Sequence, residues 1–199
     1  MKVLFVSHVS NKYGAGRSLL SLIDGLHQKG VECYVITPPK KSDKGSLIKE
    51  LKKRNVKCNE LRIYSWTFTD KKGWKHILCS VWNLLASVII AVKAYFWKVD
   101  IIHTNSSIIP VGALAALLIR KPHIWHIREF GPEDYGLRFT LGEPLSIWLM
   151  NKLSFRIIVI SKALRKKYSH YILQEKLRTI YNPAHSFKRN YRLCSRKGL

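Results

Sequence analysis

The chain is short of acid. It sets 12 Asp and Glu against 35 Lys and Arg, a formal charge of +23 over 199 residues. That surplus predicts attraction to nucleic acid, anionic membrane or a phosphorylated substrate, and it carries no information about fold. Cysteine is also scarce: four residues, at 33, 58, 79 and 194, with no C-x-x-C pair. This excludes a thiolate cluster or a disulfide framework and fits reduced thiols in a cytoplasmic chain. There is no D-x-D pair and no H-E-x-x-H, so no bound metal is expected. No signal peptide is evident, because a single Lys2 leads straight into a strand-like run. Interleaved aromatics of the kind that stack on bases are missing too, and nucleic acid is not expected as a partner.

Two nucleotide motifs fail in the same way. A dinucleotide fingerprint, G-x-G-x-x-G, would need glycine where Leu19 stands and a carboxylate near Ile36 to Pro38. A Walker A loop does not match the residues after the first apolar run.

What is present begins with that run. Val3 to Val9 is nearly continuous in apolar residues, the pattern of a strand buried on both faces. Gly14 and Gly16 punctuate a polar loop. From Ser18 the period changes: Leu19, Leu20, Ile23 and Leu26 recur at helical spacing, and Gly30 ends the helix. A second strand, Glu32 to Thr37, completes the start of a βαβ unit. Further strands are expected at Asp100–His103, His123–Ile127, Phe155–Ile160 and Leu177–Tyr181. Helices follow at Pro110, Gly142–Leu153 and Lys162–Tyr171, with Ser161 placed to cap the last. The small apolar helix after Pro110 is expected to lie against the sheet with little exposed surface. Strand-then-helix alternation implies an α/β fold, a Rossmann-like parallel sheet with helices on both faces. Lys40–Lys57 reads as a peripheral, lysine-faced helix, and Ser65–His76 shows no usable period.

Ile77–Val99 is strongly apolar but interrupted by Asn83 and Lys93. A buried or half-buried helix, an interfacial helix with Trp82, Tyr95 and Trp97 at headgroup depth, and a membrane span all fit the pattern. The polar residues with chemical potential are fewer. His103 and His126 fall at the carboxyl ends of strands, where function concentrates in open α/β sheets. His123 and His126 are three apart in a strand, face opposite sides, and cannot share one metal. His126 could act as a base or hold a hydroxyl, with Glu129 orienting it or serving as the base. A partly buried histidine bonded to backbone fits each position equally. Arg128 and Arg138 are candidates for phosphate or sugar contact, and ordinary surface arginines fit there as well.

The layout resembles the N-terminal, acceptor-side domain of the GT-B glycosyltransferases, and specifically the retaining group called glycosyltransferase family 4. The resemblance covers about residues 1–183. It rests on the glycine loop and the LLSLIDGLHQKGVECYVITP that follows, on DIIHTN at 100–105, WHIREFG at 125–131, VISKALRKKY at 159–168 and IYNP at 180–183.

It implies transfer of a hexosyl unit from a nucleotide-sugar to a lipid-linked or saccharide acceptor in cell-surface polysaccharide synthesis. No cofactor or metal is needed, and the expected location is cytoplasmic, peripheral on the inner face of the cell membrane. By this resemblance Gly14, Gly16 and Arg17 lie near the donor phosphates and His126 beside the reacting sugar. Glu129 is placed with His126 as catalytic, and His103, Asn105 and Arg128 lie on the acceptor side. Ser161 opens a helix, and Asn182 takes the place of the family's hinge turn, here Asn-Pro.

The chain departs from the family where two successive glycines are usually followed by an acid, since it has Gly14-Ala15-Gly16-Arg17. Residues 184–199 form a basic tail at the hinge, and the C-terminal donor-binding domain is expected to be absent, leaving a fragment inactive alone or paired with a separately encoded half. A non-catalytic sugar- or nucleotide-binding protein and a peripheral membrane assembly protein are the alternative readings.

Overall fold

A computed structural model describes residues 1–39, 45–69, 73–130, 136 and 138–182. Gly131, Pro132, Pro183 and the basic tail therefore lie outside the described residues. The expected strands form, two with the expected bounds and the others trimmed or shifted by a residue or more, and a short strand at 57–60 joins them. They are β1 (Lys2–Val6), β2 (Glu32–Thr37), β3 (Lys57–Glu60), β5 (Ile101–Thr104), β6 (His123–Ile127), β8 (Arg156–Val159) and β9 (Leu177–Thr179). All pair in parallel in one seven-stranded sheet, in the order β3-β2-β1-β5-β6-β8-β9. The order reverses at β1, so a crevice opens outside the carboxyl ends of β1 and β5.

Alternation along β1 explains why its sequence is apolar throughout. Val3 and Phe5 pack with Leu19, Leu20 and Ile23 of α1 (Ala15–His27) and with Leu47 and Leu51 of α2 (Leu47–Lys53). Leu4 and Val6 face the other way, onto α3 (Gly73–Phe96) and α4 (Val111–Leu118). Under β6 and β8 a further cluster gathers Trp125, Ile127, Ile157 and Val159. Against them pack Ile147 and Met150 of α5 (Glu143–Leu153) and Leu164 of α6 (Lys162–Tyr168). Helices thus cover both faces. Ser161 caps α6 as expected, its hydroxyl accepting from the Leu164 amide at 3.1 Å.

Three readings are refined by the structure. Ser65–His76, without a period of its own, contributes β4 (Thr67–Phe68), which pairs antiparallel with β7 (Arg138–Phe139) some seventy residues later. The α4 helix does not hide all its apolar surface, since Leu117 and Leu118 in its last turn are exposed. The long apolar helix α3 is half-buried, with its polarity turned inside out. Its small and polar residues Asn83, Ala86, Ser87, Ala91 and Ala94, together with Ile90, face the protein, while Ile77, Leu78, Val81, Leu85, Val88 and Val92 face outward. Asn83, which interrupts the run in sequence, points inward and pairs with both the amide and the carbonyl of Tyr64, at 3.0 and 2.9 Å. By length and composition Trp74–Phe96 could cross a bilayer, yet its inner face is part of the core.

Candidate functional site

The crevice at the β1/β5 switch point is built from four loops. After β1, residues 7–14 turn back toward the start of α1. Gly14, at φ 49°, occupies the left-handed region where a side chain is strained. Gly16 packs so tightly on the loop that a Cβ would collide with the Asn11 carbonyl oxygen. The two glycines thus do different work, since Gly14 lines the crevice and Gly16 seals the loop to the helix. The helix start beside them favours an anion.

The second loop follows β5 and contains Asn105, Ser106 and Ser107, all buried. The third follows β6 and brings Arg128 and Glu129. The fourth ends at Asn182, after β9. Glu129 holds the second and third together. Its Oε1 accepts from the Ser107 amide at 2.7 Å, the Ser107 hydroxyl at 2.9 Å and the Ser106 hydroxyl, and its Oε2 accepts from the Arg128 amide at 3.1 Å. A carboxylate with four donors already in place is suited to positioning the loops rather than to taking a proton.

Arg128 lies at the centre. Its Nε donates to the Asn105 side-chain oxygen at 2.9 Å, and Nη1 donates to Ser18 at 2.8 Å and to Asn182 at 2.6 Å. Nη2 donates to His126 Nδ1 at 3.4 Å. Among the described residues no carboxylate makes an ion pair with its guanidinium, and burial pushes its pKa down to about 10. Arg128, Ser18 and Asn182 form a wall between two cavities. The larger, about 560 Å³, is lined by His8, Tyr13, Gly14, Ala15, Ile108 and Glu129. The smaller, about 350 Å³, runs under α1 and is lined by His126 and Tyr181.

Two histidines lie side by side beneath this wall. His103 and His126 have ring centroids 5.4 Å apart, and the Nε2 of each is buried with no hydrogen-bond partner among the described residues. Burial, with help from the Arg128 charge, holds His103 at about 3 and His126 at about 2. Both are therefore neutral at neutral pH. Because His126 Nδ1 accepts from Arg128, its proton sits on Nε2. His126 thus offers a hydrogen-bond donor, and its lowered pKa makes it a weak base. His123 lies on the opposite face, hydrogen-bonded to Thr104 at 2.8 Å and Ser154 at 3.2 Å.

Of the residues singled out from sequence, Gly14, His126, Arg128, Glu129 and Asn182 line the cavities directly. Asn105 supports Arg128, and His103 lies behind His126. Arg17 is exposed and lines neither cavity, and Arg138 lies on the β4–β7 ribbon away from the crevice. Sequence reasoning missed His8 and Ser18. His8 Nδ1 is 3.2 Å from the Asn105 carbonyl oxygen, and burial lowers its pKa against the pull of Glu129. Its position just beyond the first strand was the available signal. Among the described residues no group of three potential metal ligands occurs.

A doubly wound parallel sheet, with its crevice at the switch point beside a glycine-opened helix, is a single Rossmann-like domain of the GT-B kind. The model of Glycosyltransferase Family 4 matches residues 13–185, and the chain belongs to that family. Comparison with curated proteins finds no match. Among solved structures, the chain is similar to a glycosyltransferase from Rickettsia africae, with 16% identity and a TM-score of 0.63 over 90% of this chain and 42% of that one. It is also similar to MurG of Acinetobacter baumannii (17%, TM-score 0.53, 80% of this chain and 41% of that one). A third is the UDP-GlcNAc 2-epimerase of Neisseria meningitidis bound to UDP-GlcNAc (14%, TM-score 0.59, 90% and 46%). At these identities the likeness is one of fold, and the chain spans less than half the length of each.

Proposed function

We propose that this chain forms the acceptor-side wall of a retaining glycosyltransferase that moves a hexosyl unit from a nucleotide-sugar to a lipid-linked or saccharide acceptor in cell-surface polysaccharide synthesis. The observation that carries the reading is the convergence of Gly14, the partnerless Nε2–H of His126 and the half-buried Arg128 around one divided crevice. In this reading His126 donates to a sugar hydroxyl, Arg128 meets the diphosphate or an acceptor phosphate, and Glu129 keeps both in register. The nucleotide-sugar in the epimerase complex named above supports a nucleotide-sugar partner. Stabilising the leaving diphosphate needs cations from a facing wall, supplied by further residues or a separate chain, so these residues alone would be inactive. The exposed apolar face of α3 and the excess of lysine and arginine support attachment to an anionic bilayer at its cytoplasmic face.

The test is transfer from radiolabelled nucleotide-sugars to lipid-linked acceptors. Product is expected when a donor-binding family 4 domain is supplied in trans, and Arg128→Ala should abolish it. Turnover by the chain alone would overturn the half-site reading. No product from any nucleotide-sugar with the donor domain present would overturn the function itself.

A further inference from the structure

A third cavity lies on the other side of the loop that Glu129 holds. It is an apolar trough of about 240 Å³ between α3, α4 and α5, lined by Leu84, Leu114, Leu149 and Leu153. Its mouth is marked by Leu84 and Leu141, which are 58% and 49% exposed, and its inner end by Trp66 and Trp125, which are 7% and 0% exposed. Leu84 belongs to the outward face of α3, between Val81 and Val88, so the trough opens onto the apolar surface assigned above to the bilayer. Its inner end meets the crevice wall. The Trp125 indole N–H donates to the Ser106 carbonyl at 2.7 Å, and that of Trp66 to the Ser107 carbonyl at 2.8 Å. The hydroxyls of the same two serines bind Glu129 on the crevice side. Pro110 lines the trough and Ile108, two residues earlier, lines the larger cavity.

We propose that this trough holds one hydrocarbon chain of the acceptor, so that the substrate is a lipid-linked saccharide whose head lies in the crevice and whose chain crosses the Ser106–Pro110 loop to the bilayer. This rests on the glycosyltransferase reading. The size suits a segment of a single chain, being below the roughly 300–1,000 Å³ of sites that enclose a whole drug-sized ligand. The shared loop is the stronger argument, since it carries polar contacts on its crevice side and apolar packing on its trough side. A soluble saccharide acceptor would leave this trough without an occupant.

The chain labelled with fluorotryptophan reports on this directly by fluorine NMR. The probe is an alkyl maltoside with a nitroxide at the end of its chain, added below its micelle concentration. Saturable broadening of the Trp66 and Trp125 resonances is expected, with apparent affinity weakened roughly tenfold by the trough-filling Leu114→Phe and again by Leu149→Phe. Unchanged Trp97 resonances in both variants check folding, and either variant suffices. Absence of saturable broadening, or broadening that neither variant weakens, would overturn the proposal. So would equal broadening by nitroxide-labelled bilayer lipid that the maltoside does not displace, which assigns the trough to the bilayer. A dimer abolished by Leu114→Phe and indifferent to the maltoside would assign it to a second copy and overturn it likewise. None of these readouts needs turnover. Failed sugar transfer with saturable broadening therefore refutes the function while leaving the chain site in place, and transfer to soluble saccharides without broadening does the reverse.

Discussion

Replacing Glu129 by Gln tests how the crevice is held together. The carboxylate accepts from four donors: the Ser106 and Ser107 hydroxyls and the Ser107 and Arg128 amides. A hydrogen bond to a charged acceptor is worth about 1.5–3 kcal/mol and one to a neutral acceptor about 0.5–1.5 kcal/mol. With the amide oxygen turned toward the serines, three bonds weaken, and the amide NH₂ then faces the Arg128 N–H, donor against donor. The side chain is only partly buried, so the summed loss is set at about 2–4 kcal/mol rather than at its upper bound. Urea denaturation of wild type and Glu129→Gln at pH 7 measures it through the midpoint at constant slope. Hydrogen exchange supplies the local readout, because the Ser107 and Arg128 amides should lose protection while those of β1 keep theirs. A change below about 0.5 kcal/mol, with Ser107 protection intact, would refute the view that this carboxylate clamps the two loops.

Three further outcomes follow from the packing and the charges. Gly112→Ala should cost about 1–3 kcal/mol in thermal or urea unfolding, because its Cβ would collide with Thr104 Oγ1, which His123 holds at 2.8 Å. Acid should destabilise the fold early. His103, His123 and His126 are held at about 3, 3 and 2, below the ordinary 6.5, so the unfolded chain takes up protons that the folded chain refuses. Their contribution is complete above pH 6.5 and falls with pH below it, by up to about 1.4 kcal/mol per pH unit for each. Urea midpoints between pH 7 and 5 check this, and a flat profile would contradict the assigned neutrality. Finally, Val81→Glu with Leu85→Glu should abolish co-sedimentation with anionic vesicles without lowering the melting temperature, since both side chains face outward. A drop in melting temperature with binding retained would show the opposite face of α3 to be the free one.

Much of this architecture was legible in the sequence because it rests on local pattern. Strands buried on both faces read as unbroken apolar runs, α1 declared itself by its period, and Ser161 stood where a cap belongs. The β4–β7 ribbon was not legible, since Thr67–Phe68 finds its partner only after the chain has built α3 through β6. The orientation of α3 was hidden for a different reason. Both of its faces are apolar, so periodicity cannot say which one the protein keeps, and the deciding facts are the small volumes of Ala86 and Ala94 and the backbone partner of Asn83. In the crevice the residue types were readable and their roles were not. His126 is neutral because of burial, helped by Arg128 and His103, and Glu129 is occupied because Ser106 and Ser107 converge on it, so His103 and the two serines act from segments distant in sequence.

The central place of β1 has a consequence for how the chain is made. Its residues leave the ribosome before those of either neighbour, and β2, about thirty positions behind, can pair with one side early. The other side must wait for Ile101–Thr104, because Val3 lies against Ile101. At about 5–20 residues per second that interval is roughly 5–20 s, during which a fully apolar strand edge stays open. A nascent chain stalled before residue 100 should therefore be bound by chaperones, and one stalled after β6 should be released from them.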